Sequence, residues 1–237
     1  SDFGDYTVYL LVTDQYGNVD SASAIVTVQD LIKPSVNSKS VNINLDSSGN
    51  ANITVLDIDN GSTDNCGIVS RTISKSSFNC SDIGSNTIFL IVEDLYGNID
   101  SMGATVTVND DIKPKLKTKT ANVYLGANGI ANLSASAVDN GSSDNCGIAS
   151  RTISKSIFNC LEIGNNSIDF KVTDINGNSD SASVVITVLD TIKPIINTQS
   201  LSINLDTNGN ANISVTDVDN GSSDNCFIAT RSLSKSN

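Results

Sequence analysis

The chain has 237 residues, a net charge of -12 and a pI near 4.2, with no His and no Trp. An acidic surface argues against nucleic acid and anionic lipid as partners, because both demand Lys and Arg. The missing His excludes His-based triads and His zinc sites, and no apolar run approaches the length of a membrane span.

The elements recur on a long period. The loop Asp57–Cys66, DIDNGSTDNC, returns in nearly the same words ending at Cys146 and at Cys226, and Pro34, Pro114 and Pro194 each stand in the context IKP. These positions lie eighty residues apart. A fixed long period marks an array of modules, and such a unit suffices for one small core. In chain order, residues 1–30 read as the last strands of a repeat, 31–110 and 111–190 as complete repeats, and 191–237 as the first half of another. The chain therefore reads as a stretch of something longer, and the lack of a visible signal peptide says nothing. Proline at each boundary removes a donor and stiffens the linker.

Within the first complete repeat, Val41, Ile43 and Leu45 alternate with Asn42 and Asn44, and Ala51, Ile53 and Val55 alternate again after the turn cluster 46–50. Period-two alternation puts such side chains on one face, so 41–55 reads as a hairpin. Strands follow at 68–73, 87–93 and 104–108, with a turn at Gly97. No helical period with caps is present. Short strands punctuated by turns point to an antiparallel sandwich.

Five cysteines read as two pairs and an orphan. Cys66 precedes Cys80, and Cys146 precedes Cys160, each by fourteen positions. Bonds Cys66–Cys80 and Cys146–Cys160 are expected, with Cys226 unpaired; buried thiols are the alternative. Absence of a CxxC disfavours zinc. Disulfides persist in oxidising places, which places the chain outside the cell.

The order of motifs carries a resemblance. Asp-x-Ile-Lys-Pro, then S-x-D-N-C-G, F-N-C-x-x-I-G-x-N-x-I, V-x-D-x-x-G-N and V-T-V-x-D resemble the hyalin-repeat (HYR) class of immunoglobulin-like modules. The wording SRTISKSxFNC resembles more narrowly the tandem repeats of SprB-like giant surface adhesins of gliding Bacteroidetes. The resemblance implies tandem immunoglobulin-like antiparallel β-sandwich repeats forming an elongated cell-surface filament. It also implies export by the type IX system, attachment to external surfaces or polysaccharide, and coupling to the gliding machinery. One departure is Phe227, which stands where Gly67 and Gly147 stand.

The acidic loops are candidate calcium sites, since hard oxygen ligands in a flexible loop suit that ion. The spacing is not that of an EF-hand. In an immunoglobulin-like unit this loop and the last turn share the N-terminal end, facing the linker. The expected ligands are Asp30, Asp57, Asp59, Asp64 and Asp94 for the first junction, and Asp110, Asp139, Asp144 and Asp174 for the second. For the third they are Asp190, Asp217, Asp219 and Asp224. Ala137 replaces the first aspartate of the second loop, so that site is expected to bind less tightly. Simple Asx turns are the competing reading.

The triplets at Ser21, Ser101 and Ser181, each after an Asp and before an apolar residue, resemble the acceptor for Bacteroidetes O-glycosylation. Asn-x-Thr/Ser triplets such as Asn52-Ile53-Thr54 occur by chance in so Asn-rich a chain. No catalytic reading survives: Glu93 and Glu162 are the only glutamates, and neither has a recurring acidic partner. Two roles are left. One is a structural repeat of a filamentous adhesin supporting attachment and gliding. The other is a module that binds surface glycans directly. Direct sugar recognition favours aromatic platforms; Tyr16 and Tyr96 share a turn position, but Asn176 replaces them, which favours the structural role.

Overall fold

The structure is a computed structural model that describes residues 3–236. It divides into two compact units, residues 1–112 and 113–237. The first begins with the hairpin β1 (Gly4–Thr13) and β2 (Val19–Val28), paired in register from Gly4 opposite Val28 to Thr13 opposite Val19. A full repeat follows: β3 (Val41–Asn44), β4 (Asn50–Asn52), the one-turn helix α1 (Val55–Ile58), β5 (Ile68–Ile73), β6 (Ser77–Asn79), β7 (Gly84–Asp94) and β8 (Ile99–Asn109). One sheet runs β3-β8-β7-β5; β4 and β6 form the second.

The second unit repeats this design with β9 (Ala121–Tyr124), β10 (Ile130–Asn132), α2 (Ala135–Val138), β11 (Ile148–Ile153), β12 (Ile157–Asn159), β13 (Gly164–Asp174) and β14 (Ser179–Leu189). Its sheets run β11-β13-β14-β9 and β10-β12. Residues 191–236 then hold the one-turn helix α3 (Val215–Val218), and no strand is formed there among the described residues. The protein is all-β, built of tandem immunoglobulin-like sandwich repeats.

Alternation dictates the core. Along β7, Ile88, Leu90 and Val92 are buried while Phe89 points out; along β8, Ala104, Val106 and Val108 do the same. They close on Ile58 and Phe78 from the other side, and Val138 and Phe158 take those places in the second unit. Each Val, Leu, Ile or Phe among them contributes roughly 1.5–3 kcal/mol on burial.

Two expectations need correction. Residues 41–55 are not a hairpin. The turn is present, with Asp46 N donating to Asn50 O at 2.8 Å. But β3 pairs in parallel with β8, Val41 opposite Val106, and β4 pairs with β6, Ala51 opposite Phe78. The long strand β8 needs an edge partner, so the turn carries the chain from one sheet to the other. The expected absence of helix also fails over one turn, where Val55–Ile58 coils to drop Ile58 into the core.

The cysteine pairing differs as well. Cys160 bonds to Cys226, 66 residues on, and Cys66 is free. Cys80 and Cys146 are also in disulfide linkage. A Cys66–Cys80 or Cys146–Cys160 bond is ruled out by geometry. A six-residue strand, Ile68–Ile73 or Ile148–Ile153, separates the two cysteines of a repeat. At about 3.3 Å per residue it carries them roughly 20 Å apart, against the ~7 Å limit for a bridge. The cysteine that follows β12 instead reaches the acidic loop of the following segment.

Candidate functional site

The first acidic loop does three separate jobs, and the other two loops repeat them in whole or in part. In the first, Asp57 Oδ2 accepts from Thr54 N at 2.7 Å and Thr54 Oγ1 at 2.8 Å, closing the start of α1. Asp217 does the same for Ser214 ahead of α3, with bonds of 2.8 and 2.6 Å. Ala137 stands at this capping position, so the second repeat loses a cap there rather than a metal ligand.

Asp59 has a different task. Its carboxylate accepts from Ser62 N at 2.9 Å and Ser62 Oγ at 2.7 Å, and pairs with Arg71 Nε at 3.0 Å. Asp139 pairs likewise with Arg151 Nε at 2.6 Å, and Asp219 with Arg231 Nε at 2.8 Å. For Asp59 burial pushes the carboxyl pKa up, but the Ser62 hydrogen bonds and the Arg71 charge outweigh it and hold the group below the usual range. The Arg recurs at a fixed offset from its Asp in all three loops, so the sequence carried this signal.

Because the folded pKa is depressed, the stabilisation from Asp59 is full above its unfolded value and is lost as pH falls through the folded one. Asp139, also lowered against the cost of burial, behaves the same way. Melting at pH 6 and at pH 3 is expected to show a larger acid-induced drop for wild type than for the Asp59→Asn, Asp139→Asn double variant. Equal drops would remove the pair from the acid response.

Asp64 is the loop member that reaches the end of the repeat. Its Oδ2 accepts from Cys66 N at 2.7 Å and Gly67 N at 3.1 Å. Gly67 takes φ +103°, and a Cβ there would press on Leu95 Cδ1 at 3.2 Å. Phe227, at the same place in the last loop, has no positive φ, so that turn does differ. Asp94, 1% exposed, anchors the turn between β7 and β8. Its Oδ1 accepts from Tyr96 N at 2.7 Å and Asn98 N at 2.9 Å, and its Oδ2 from Asn98 Nδ2 at 2.6 Å. These bonds overcome burial and lower its pKa. Asp30 enters from the linker after β2, its Oδ1 accepting from Ile32 N at 3.0 Å, and Asn98 Nδ2 donates to Asp30 O at 3.1 Å.

Asp30, Asp64 and Asp94 each place a carboxylate oxygen within 4.8 Å of the other two. No N–H or O–H donor reaches the buried atoms Asp30 Oδ2 and Asp64 Oδ1. Among the described residues, the ion pairs of the first unit take Asp59 and Asp82, not these three. Cys66 lies alongside; its hydrogen bond to Asp30, burial, and the charges of Asp30 and Asp64 hold the thiol pKa above its ordinary value. Carboxylates gathered from three segments, with oxygens shielded from water and no cation beside them, repel one another. Hard carboxylate oxygens are the ligand type that suits a calcium ion.

In the second unit, Asp144 and Asp174 bring carboxylate oxygens within the same 4.8 Å of each other, with Asp144 Oδ2 buried and without a donor. Asp110 ends the first unit, 7% exposed, and accepts from Ile112 N at 3.1 Å. After β14, Asp190 Oδ1 accepts from Ile192 N and Asn225 Nδ2, both at 3.1 Å. Asp224 accepts from Cys226 N at 3.0 Å and keeps its buried Oδ2 without a partner. Thus Asp57, Asp59, Asp139, Asp217 and Asp219, expected as ligands, are engaged elsewhere, whereas Asp30, Asp64 and Asp94 meet.

Gly129 was overlooked in the sequence. It takes φ +70°, and a Cβ would lie 2.7 Å from Asn225 O and 2.9 Å from Cys160 Sγ. Asn225 Nδ2 also donates to Gly126 O at 3.3 Å. Only glycine lets the turn 126–129 lie against the loop that ends in Cys226. Lys75 and Lys155, which recur without an evident partner in the sequence, pair with Asp82 and Glu162.

No family model matches the sequence, and no curated protein matches it. Solved structures do align. One is a protocadherin gammaB7 EC3-6 cis-dimer, at 15% identity over 88% of this chain and 63% of that one, with a TM-score of 0.37. Another is human protocadherin-24 EC1-2, at 15% identity over 68% of this chain and 98% of that one, with a TM-score of 0.36. A third is human mucin-like protocadherin EC1-2, at 12% identity over 67% and 98%, with a TM-score of 0.32. The chain thus spans less than two thirds of the first of these.

Proposed function

We propose that this chain is a structural stretch of a filamentous cell-surface adhesin, outside the cell, whose repeats are tied to one another by calcium and disulfides. The observation that carries the reading is the carboxylate triple Asp30, Asp64 and Asp94, drawn from the linker and two loops where one repeat meets the next. Its orphaned buried oxygens have no purpose in a simple turn. Calcium bound there shares ligands across the boundary and fixes it. The Cys160–Cys226 bond supports the same reading, because it joins a complete repeat to the segment after it. The sequence resemblance extends the proposal to gliding adhesins: export by the type IX system, contact with external surfaces or polysaccharide through the parent filament, and movement by the gliding machinery.

Small-angle scattering with calcium and then with chelator tests the reading. The maximum dimension is expected to be sharply defined with calcium and to blur on chelation. A profile indifferent to calcium, or strong specific binding of the isolated chain on a glycan array, would remove the structural role.

The O-glycosylation proposal gains support from exposure, since Ser21, Ser101 and Ser181 are all open to solvent near the starts of β2, β8 and β14. Intact mass from the native source should carry hexose-type additions at these three sites. Unmodified peptides covering all three would end it.

A further inference from the structure

The second repeat departs from the others along one exposed edge. Its opening segment, residues 113–119, reads KPKLKTK, with Lys113, Lys115, Lys117 and Lys119 at alternate places. The first repeat has Lys33, Ser35, Asn37 and Lys39 there, and the segment after β14 has Lys193, Ile195, Asn197 and Gln199. The loop that this segment lies along changes too, because Ala137 stands where Asp57 and Asp217 stand. Asp57, held below the usual carboxylate range chiefly by its Thr54 bonds, also feels the charge of Lys39. Lys119 has no carboxylate at that place. Over these five positions the first repeat carries two lysines and one aspartate, net +1, and the last segment one of each, net zero. The second repeat carries four lysines and no acid, net +4. Asp111, two residues ahead, trims that by one and leaves it well above the others.

One of these changes gives up a structural bond. Asn37 Nδ2 donates to Asn60 O at 2.9 Å, and Asn197 Nδ2 to Gly221 O at 3.4 Å, so asparagine at this place ties down the acidic loop. Lys117 forgoes that tie.

The backbone holds the four lysines in a row. Lys115 N donates to Ser143 O at 2.7 Å, and Lys115 O accepts from Ser143 N at 3.1 Å. Lys117 O accepts from Asn140 N at 2.8 Å, and Lys119 N donates to Val138 O at 2.9 Å. Pro114 is buried and Leu116 packs against the core, so alternation leaves the lysines, all exposed, on the other side. At about 3.3 Å per residue, neighbouring lysines stand roughly 7 Å apart and the row is about 20 Å long. Among the described residues no ion pair takes any of the four, while Asp139 and Glu162 of the same unit pair with Arg151 and Lys155.

We propose that Lys113, Lys115, Lys117 and Lys119 form a docking row for a linear acidic polysaccharide, one bearing carboxylate or sulfate groups along its length. The proposal deepens the surface contact proposed above and rests on that reading only for the extracellular setting. At physiological salt a charge is felt over about 8 Å. A thin chain laid along the row therefore meets four ammonium groups and little else, whereas a flat anionic membrane also faces the acidic remainder of the unit. Nucleic acid fits less well, because the row offers no aromatic side chain for bases to stack on. Lysine is a point charge on a flexible stem, so the row reads charge and spacing rather than one particular sugar. Such binding is weak and salt-sensitive, unlike the strong specific recognition that would displace the structural role.

The test is binding of the intact chain to fluorescent dextran sulfate and polygalacturonate, with neutral dextran as blank, in chelator so that no calcium bridges the carboxylates. Wild type is expected to bind both acidic polymers at low salt and to lose about tenfold or more in affinity between about 50 and 200 mM salt. Lys115→Ser with Lys117→Asn installs the residues of the first repeat, so it should melt like wild type. It should bind roughly tenfold more weakly with a shallower salt dependence, since each lysine lost removes about one unit of that slope. Lys33→Ser with Lys193→Ser removes the same charge elsewhere and should change little. Equal weakening by the two double variants would reduce the effect to net charge and overturn the proposal. So would no binding by wild type at low salt, binding that Lys115→Ser with Lys117→Asn retains, or tighter binding of single-stranded DNA or anionic vesicles than of either polysaccharide. The scattering response to calcium should be intact in Lys115→Ser with Lys117→Asn. Failure here thus leaves the calcium reading standing, and a failed calcium response leaves the lysine row standing.

Discussion

Calcium added to the chelated protein is expected to raise the melting temperature of the first unit by roughly 10–20 °C. A ligand that binds only the folded state stabilises it by about 2.7 kcal/mol at a hundredfold excess over its dissociation constant. For a unit of about a hundred residues, each kcal/mol is worth about 4–8 °C. Asp64→Asn should reverse sign with conditions. In chelator it relieves repulsion among Asp30, Asp64 and Asp94 and leaves an oxygen to accept from Cys66 N and Gly67 N, so the variant should melt slightly higher than wild type. In calcium it removes a charged ligand and should melt several degrees lower. Asp59→Ala is the control: it loses the Arg71 pair but should keep the whole calcium response. If Asp59→Ala loses that response and Asp64→Asn keeps it, the ligand assignment is wrong.

Cys226→Ser is expected to loosen the segment after β14 without unfolding the repeat before it. Closing a loop of 66 residues is worth about 4 kcal/mol in the chain-entropy view. Among the described residues that segment forms no strand, and the bond is one of the links that hold it. Hydrogen exchange reads this locally. The amides of Ile195, Gln199 and Asn220, which donate to Ser223, Val218 and Asn197, should exchange up to about a thousandfold faster. Amides within β13 and β14 should not change. Cys66→Ser, at the free thiol, should alter neither set. Gly129→Ala should mimic Cys226→Ser in part, because its Cβ would strike Asn225 O. Unchanged exchange at Ile195 in Cys226→Ser would show that packing alone seats the segment.

Much of the fold was legible because alternation is a local property. Ile88, Leu90 and Val92 announce a face, and the structure buries that face. What alternation does not encode is the partner. Val41 and Ile43 read equally well against β4 or β8, and only the sandwich as a whole selects β8. The cysteines posed the same problem: a period of eighty makes separations of fourteen and 66 recur together, and the choice depends on which end of a strand each occupies. In the acidic loop, residue type was a poor guide to role. Asp57, Asp59 and Asp64 are chemically alike, yet one caps, one pairs with Arg71 and one joins a cluster. Thr54 ahead of Asp57 and Arg71 behind Asp59 were the visible signs of the first two roles.

The parallel pairing of β3 with β8 has a mechanical consequence. The first and last strands of a repeat lie side by side and point the same way, Val41–Asn44 along Val106–Asn109. Tension on the two ends of a repeat pulls the start of β3 and the finish of β8 in opposite directions along their common axis. The hydrogen bonds between them lie across that pull, so they are loaded in shear and must yield together. An antiparallel terminal pair would instead be peeled open one rung at a time. The second repeat has the same arrangement in β9 and β14. Each repeat therefore resists stretching at its own clamp, and extension of the chain under load should come in abrupt steps of one repeat rather than as gradual fraying.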